Sequence, residues 1–247
     1  MLDFKNVPGY STENWKAEDI HLPDTPWIRE LEEYRWSYHE THPLTGRGVR
    51  PLDVRAEAKR KAHKGGDINH RFEGERYLNC PDKHFRRMQL RKLVDEGGEV
   101  SVGGLRVSHP KLSRWESYAY GVQPEEVDAL EKADADAEML VARGWWVNAN
   151  RTEHWAVAFG SSMMGEGGTA QRSKELIAGI EEDAKRLAEW GVVDVERALL
   201  NRWEHAGIDV DHAQMAYDVA DEFITTPEMQ QKMAEVFKLR LQMRTGG

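Results

Sequence analysis

A single cysteine in 247 residues, Cys80, excludes an intramolecular disulfide framework and a cysteine-rich zinc site. Any metal held by this chain must be taken by His, Asp and Glu. Long apolar runs are missing as well. No stretch reaches about 18 apolar residues, and the N-terminus lacks a basic segment followed by an apolar one, so the expectation is a cytoplasmic chain with no membrane contact. Basic charge is short: 34 Lys and Arg stand against 43 Asp and Glu, for a formal net charge of −9. A deficit of that sign disfavours nucleic acid and anionic lipid as partners. Strict apolar/polar alternation is almost absent, which counts against an extended sheet. Repeats and long Pro, Ser or Gly linkers are also lacking. One domain over 1–247 is expected, with N-terminal helices and loops in 1–75 and the bundle core in 76–247.

What is present is a helical period. Apolar positions recur three and four apart through most segments, which predicts an all-α, multi-helix bundle. Helices are expected over Thr25–His39, Val54–Tyr77 with a weakness at Gly65-Gly66, and about Asn79–Glu96. The glycines at 97, 98, 103 and 104 then leave room for a short hairpin over Glu99–Val107. Ser108-His109-Pro110 restarts a helix to Tyr120, with Ser as the cap. Gln123-Pro124 opens one that continues to Trp146, and another follows Asn148-Ala149-Asn150. Further helices are expected over Ser173–Trp190, Asp194–Ala206, Asp209–Phe223 and Pro227–Met243. The nine Trp residues suit core and helix-seam packing.

The segment richest in chemistry is His205-Ala-Gly-Ile-Asp209-Val-Asp-His212. At about 100° per residue, His205, Asp209 and His212 project at roughly 0°, 40° and −20°, one stripe of two imidazoles and a carboxylate. That is a metal half-site. It also fits a solvated polar face, because Gly207 weakens the helix and Asp209 suits an N-cap. A metal site in a bundle draws its other ligands from neighbouring helices. Glu96 ends one helix, His109 starts the next, and Glu166 follows the apolar run 156–164, an awkward place for a charge unless something compensates it. Each also fits an ordinary solvated position at a helix end.

The order Glu96, His109, Glu166, His205, Asp209, His212 resembles the ligand series of the haem-oxygenase-like diiron oxidases and oxygenases. The resemblance runs from about Leu78 onward. Local texture is similar to the pyrroloquinoline quinone synthase and thiaminase II group: Leu78-Asn79-Cys80-Pro81-Asp82 with Arg86-Arg87, Gly160-Ser161-Ser162, and Phe223-Ile224-Thr225-Thr226. The resemblance implies a haem-oxygenase-like bundle that is homodimeric. It also implies a metal site of those six residues for two Fe(II), with Mn as the alternative ion, and O2 as co-substrate. Oxygen and imidazole donors suit such ions, and three carboxylates offset three of their four positive charges.

The implied activity is O2-dependent oxidation of a small polar metabolite, an amino acid or amino-acid-derived acid, by N-oxygenation, desaturation or C–C cleavage, with an external electron donor for repeated turnover. Two departures stand out. Thirteen positions separate Glu96 from His109, where the family often has a short turn, so 97–108 reads as an insertion. Glu96 also stands where the cofactor-free quinone synthase carries a His, which favours a metal. Lys92, four residues before Glu96, shares its face and suits either an ion pair with it or a hold on a substrate carboxylate. Two alternatives remain: a cofactor-independent oxidase of the quinone synthase kind, and a non-catalytic iron-binding helical protein.

Overall fold

The computed structural model describes residues 25–41, 55, 59, 68–97, 99–102, 105–133, 137–161 and 180–245. In chain order these give α1 (Pro26–Thr41), α2 (Ile68–Asn79), α3 (Lys83–Gly97), the strands β1 (Glu99–Val102) and β2 (Leu105–Ser108), and α4 (His109–Ala119). They continue with α5 (Pro124–Lys132), α6 (Ala137–Thr152), a short α7 (155–161), α8 (Ile180–Glu189), α9 (Val195–Phe223) and α10 (Pro227–Thr245). The all-α expectation holds, with one antiparallel hairpin where the glycines allowed it. Among the described residues no helix is long and apolar enough to cross a membrane.

The long helix α9 is the axis of the molecule. It lies along α4 and also meets α3, β1 and α8, while α2 bridges α3 and α6, and α10 closes against α1 and α6. One core joins Ile28 and Leu31 of α1 to Phe85, Phe159, Tyr217 and Phe237. Within it Phe85 meets Phe159 and Phe223 edge-on, with ring centroids 6.0 and 5.8 Å apart. A second core gathers Leu112, Leu187, Val192, Leu199 and Leu200 at the other end of the α4–α9 seam. Trp27, Trp145 and Trp155 pack at the margin of the first core, and Trp115 and Trp190 at that of the second, as expected of seam residues.

Several local signals act as read. Asp82 caps α3, its Oδ1 accepting from the backbone N–H of His84 at 2.8 Å and of Phe85 at 3.0 Å. Asn79, in the same string, donates to the carbonyls of Asn150 (3.2 Å) and Glu153 (3.1 Å) and so satisfies the end of α6. Gln123 and Glu126 form a capping box ahead of α5, with Pro124 at its first turn.

Other helix boundaries differ from the expectation, each for a physical reason. The helix from Gln123 does not run on to Trp146: Ala133 is extended (φ −66°, ψ 144°) and ends α5 at Lys132. Conversely, α6 runs through Asn148-Ala149-Asn150 to Thr152. Asn150 donates to the Trp146 carbonyl (2.9 Å) and Thr152 to that of Asn148 (2.8 Å), so these side chains bond back to their own helix instead of ending it. Likewise α9 passes through Gly207 as one helix of 29 residues. A mid-helix Gly costs about 1 kcal/mol, and long packing against α4 outweighs it. Of the helix expected over Val54–Tyr77, the described residues include Arg55, Lys59 and everything from Ile68 on. The first part of Ser173–Trp190 lies outside them.

Candidate metal centre

The site begins with α9. Because the helix is unbroken from Val195 to Phe223, Asp209 is interior to it and is not an N-cap. His205, Asp209 and His212 therefore keep the helical spacing that places them on one stripe. The side chains of His205 and Asp209 lie outside the described set, as does Glu166 altogether. His212 is described, and it is buried.

The hairpin brings the next two residues together. Its register pairs Glu99 with Ser108 and Val102 with Leu105, so the chain leaves α3 and returns to α4 at the same place. Glu96 and His109 thereby end with Oε2 and Nδ1 3.6 Å apart despite the segment between them. The pairing of β1 with β2 thus leaves a carboxylate and an imidazole side by side. Strand β1 also packs on α9 and α3.

Lys92 is the hub of the cluster. Its side chain is fully buried, with Nζ 3.3 Å from His212 Nδ1, 3.8 Å from Glu96 Oε1 and 3.9 Å from Glu73 Oε1. The i,i+4 pair with Glu96 is the one the spacing allowed. The contacts to Glu73 and His212 come from other helices and have no local sequence signal. Glu73 reads as part of a polar Glu-Gly-Glu-Arg string, yet it is buried and engaged by Arg76 and by the Gln89 amide. Glu73, Arg76 and Gln89 are thus site neighbours that the sequence did not disclose. A buried ammonium of this kind persists only when carboxylates and hydrogen bonds surround it.

Hydrogen bonding limits what His212 can do while Lys92 is in place. An ammonium only donates, so in this contact His212 Nδ1 accepts through its lone pair. A metal ion would use that same lone pair. Lys92 and any metal ion would therefore compete for His212, and for Glu96 as well. Among the described residues no group of three or more His, Cys, Asp or Glu is gathered closely enough to hold an ion.

The polar seam continues along α4 and α9. Glu116, two turns beyond His109, is buried and accepts from Asn201 Nδ2 at 2.7 Å, one turn before His205. A second buried cluster lies between α1 and α9: Tyr217 donates its hydroxyl to Glu32, which Arg35 also binds. Burial raises the Glu32 carboxyl above its usual range, against the pull of Arg35 and Tyr217, and burial raises the Tyr217 phenol. Cys80 is buried and its thiol is pushed up chiefly by desolvation, so it is poorly disposed to act as a nucleophile.

No protein-family model matches this sequence, and no curated protein matches it by sequence. Its fold does have a solved counterpart. A TenA homologue from Pseudomonas syringae pv. tomato superposes with a TM-score of 0.63 over 94% of this chain and 93% of that one, at 11% identity. The likeness establishes the architecture, an all-α bundle of the TenA, haem-oxygenase-like kind.

Proposed function

We propose that this chain is a non-haem, O2-dependent oxidase or oxygenase that binds two Fe(II), with Mn as the alternative ion. The ligands would be Glu96, His109, Glu166, His205, Asp209 and His212. The observation that supports this reading most directly is that the buried Lys92 ammonium lies beside both Glu96 of α3 and His212 of α9, while His109 of α4 lies 3.6 Å from Glu96. That interior is built to hold positive charge, and its oxygen and imidazole donors suit iron or manganese. Reduced iron, when bound, supplies the electrons for O2 chemistry. The chain's own residues do the rest. The buried α4–α9 seam keeps water from the site, and Arg76 and Gln89 hold the Glu73 carboxylate in place.

Lys92 has two roles in this reading. Without metal its ammonium balances Glu73 and Glu96. With metal on Glu96 and His212, that ammonium is released to a substrate carboxylate, in keeping with an amino acid or amino-acid-derived acid as substrate. Anaerobic Fe(II) titration followed by an oxygen pulse tests the proposal. Uptake of about two irons per chain, with O2 consumption accelerated by substrate, supports it. Absence of stoichiometric binding, or unchanged binding in His205→Ala and Glu166→Ala, overturns it. Turnover of substrate without metal would instead fit a cofactor-independent oxidase, and iron oxidation without organic product an iron-binding protein.

A further inference from the structure

The two faces of α3 differ in what they touch. Phe85, Gln89 and Lys92 are buried and turn inward, Phe85 onto Phe223, Gln89 onto Glu73 and Lys92 onto His212. At about 100° per residue, Lys83, Arg87, Leu90, Arg91 and Val94 fall on the opposite side of the helix, and all five are exposed. Leu90 is 45% exposed and Val94 57%. From Lys83 to Val94 the helix carries no acidic residue, in a chain whose net charge is −9. Among the described residues, Lys83, Arg87 and Arg91 join no ion pair.

We infer that this outer face of α3 docks a small acidic electron-carrier protein that serves the metal centre, an inference that rests on the diiron reading. Dioxygen accepts four electrons in all. N-oxygenation or desaturation of a substrate supplies two, so two more, with two protons, come from outside in each turnover, the task of a one-electron carrier such as a [2Fe–2S] protein acting twice. The cations of the face attract an acidic carrier that the acidic remainder of the chain repels, which steers it to this helix. Leu90 and Val94 offer the apolar centre of a protein contact, which a phosphate backbone does not use. Five side chains on one helix are too few for a stable dimer, whose interfaces take about 20–30 residues a side, and suit the small contacts of transient electron transfer. Position suits the role as well: α3 is about 10–12 Å across, so a carrier on its outer face sits one helix thickness from Lys92 and Glu96.

A plant-type [2Fe–2S] ferredoxin, itself strongly acidic, is the probe, and NMR line broadening follows its binding to the metal-free protein at low salt. The expected result is a saturable complex that fades with added salt, weakens about tenfold or more in Arg87→Glu, weakens also in Leu90→Ala, and changes less than about twofold in the control Arg151→Glu on the exposed side of α6. Arg87 is exposed and in no ion pair, so unchanged thermal unfolding of its variant separates lost docking from lost fold. After iron loading, Arg87→Glu takes electrons from dithionite as the wild type does, and from reduced ferredoxin about tenfold or more slowly. No saturable binding, or equal weakening in the Arg151 control, overturns the inference and leaves the metal reading standing wherever iron is still taken up. Docking without iron uptake overturns electron delivery together with the metal reading. Tighter binding of a single-stranded oligonucleotide, lost in Arg87→Glu, overturns the inference too, by assigning the cations to a phosphate backbone.

Discussion

Lys92 Nζ lies 3.3 Å from His212 Nδ1, joining α3 to α9 across 120 positions of sequence. The contact would make metal binding, as proposed, a competition. On the proposed reading, an incoming ion would have to displace a fully buried ammonium from His212 and Glu96, and the ammonium would have to find another acceptor or leave.

Lys92→Met separates the two sides of that competition. Without metal the variant leaves Glu96 short of its buried counter-charge, while Glu73 keeps Arg76, a loss of up to about 3–5 kcal/mol of stability by the usual cost of breaking a buried pair. With metal the cost reverses, because nothing then competes for His212. Thermal unfolding with and without Mn(II) checks this: the variant starts lower than the wild type, gains more from the ion, and binds it about tenfold or more tightly. An equal gain in both proteins would mean that Lys92 and the ion do not share donors.

Tyr217→Phe removes the hydroxyl that the buried Glu32 accepts from, at a cost of about 1–3 kcal/mol in urea unfolding. The pH dependence has a definite sign. Glu32 titrates above its ordinary value of 4.5 in the folded protein, so its contribution to stability is full below that value and is lost as pH rises through the folded one. The phenol opposes that rise. Its removal therefore hurts most at neutral pH, and the gap between variant and wild type narrows as the pH falls toward 4.5.

Glu126 behaves in the opposite way. Hydrogen bonding from Lys59 leads in pulling its carboxyl down to about 2, with the Gln123 backbone and Arg55 assisting. Its oxygens lie 2.7 Å from Lys59 Nζ and 2.6 Å from the Arg55 guanidinium, which ties Arg55 and Lys59 to the start of α5. The folded value is below the unfolded one, so the clamp contributes above about pH 4.5 and is lost as the pH falls toward about 2. Glu126→Gln is accordingly less stable than the wild type at neutral pH, and the difference fades across that interval and in high salt. Urea midpoints measured at several pH values make the comparison.

The same contacts explain how much was legible in the sequence. The stripe of His205, Asp209 and His212 and the Lys92–Glu96 pair depend only on the helical period, which local residues set. The hairpin was legible from its glycines, but its consequence was not: the adjacency of Glu96 and His109 follows from the Glu99–Ser108 register, a pairing between strands. Glu73 was invisible because a Glu-Gly-Glu-Arg string looks solvated until α3 covers it. The Glu32–Tyr217 bond spans 185 positions and leaves no local trace. Helix ends misled where side chains chose an unexpected partner, as Asn150 did by bonding to Trp146.

Gly160, in the Gly160-Ser161-Ser162 string, is a local feature whose meaning is tertiary. A Cβ there would sit 2.8 Å from Met233 Cε and 3.1 Å from its Sδ, so α7 and α10 approach closely because position 160 has no side chain. Gly160→Ala gains about 0.5–1 kcal/mol of helix propensity and incurs about 1–3 kcal/mol of overpacking. The contact is with the end of a flexible thioether, which places the net loss at the low end of that range. Met233, itself fully buried, is the partner that must move. In a Met233→Val background the methyl group has room and fills part of the space vacated, so Gly160→Ala becomes neutral or stabilising there. A double-mutant cycle by urea unfolding reads this as a coupling that favours the pair, and additive losses would place the strain in the backbone instead.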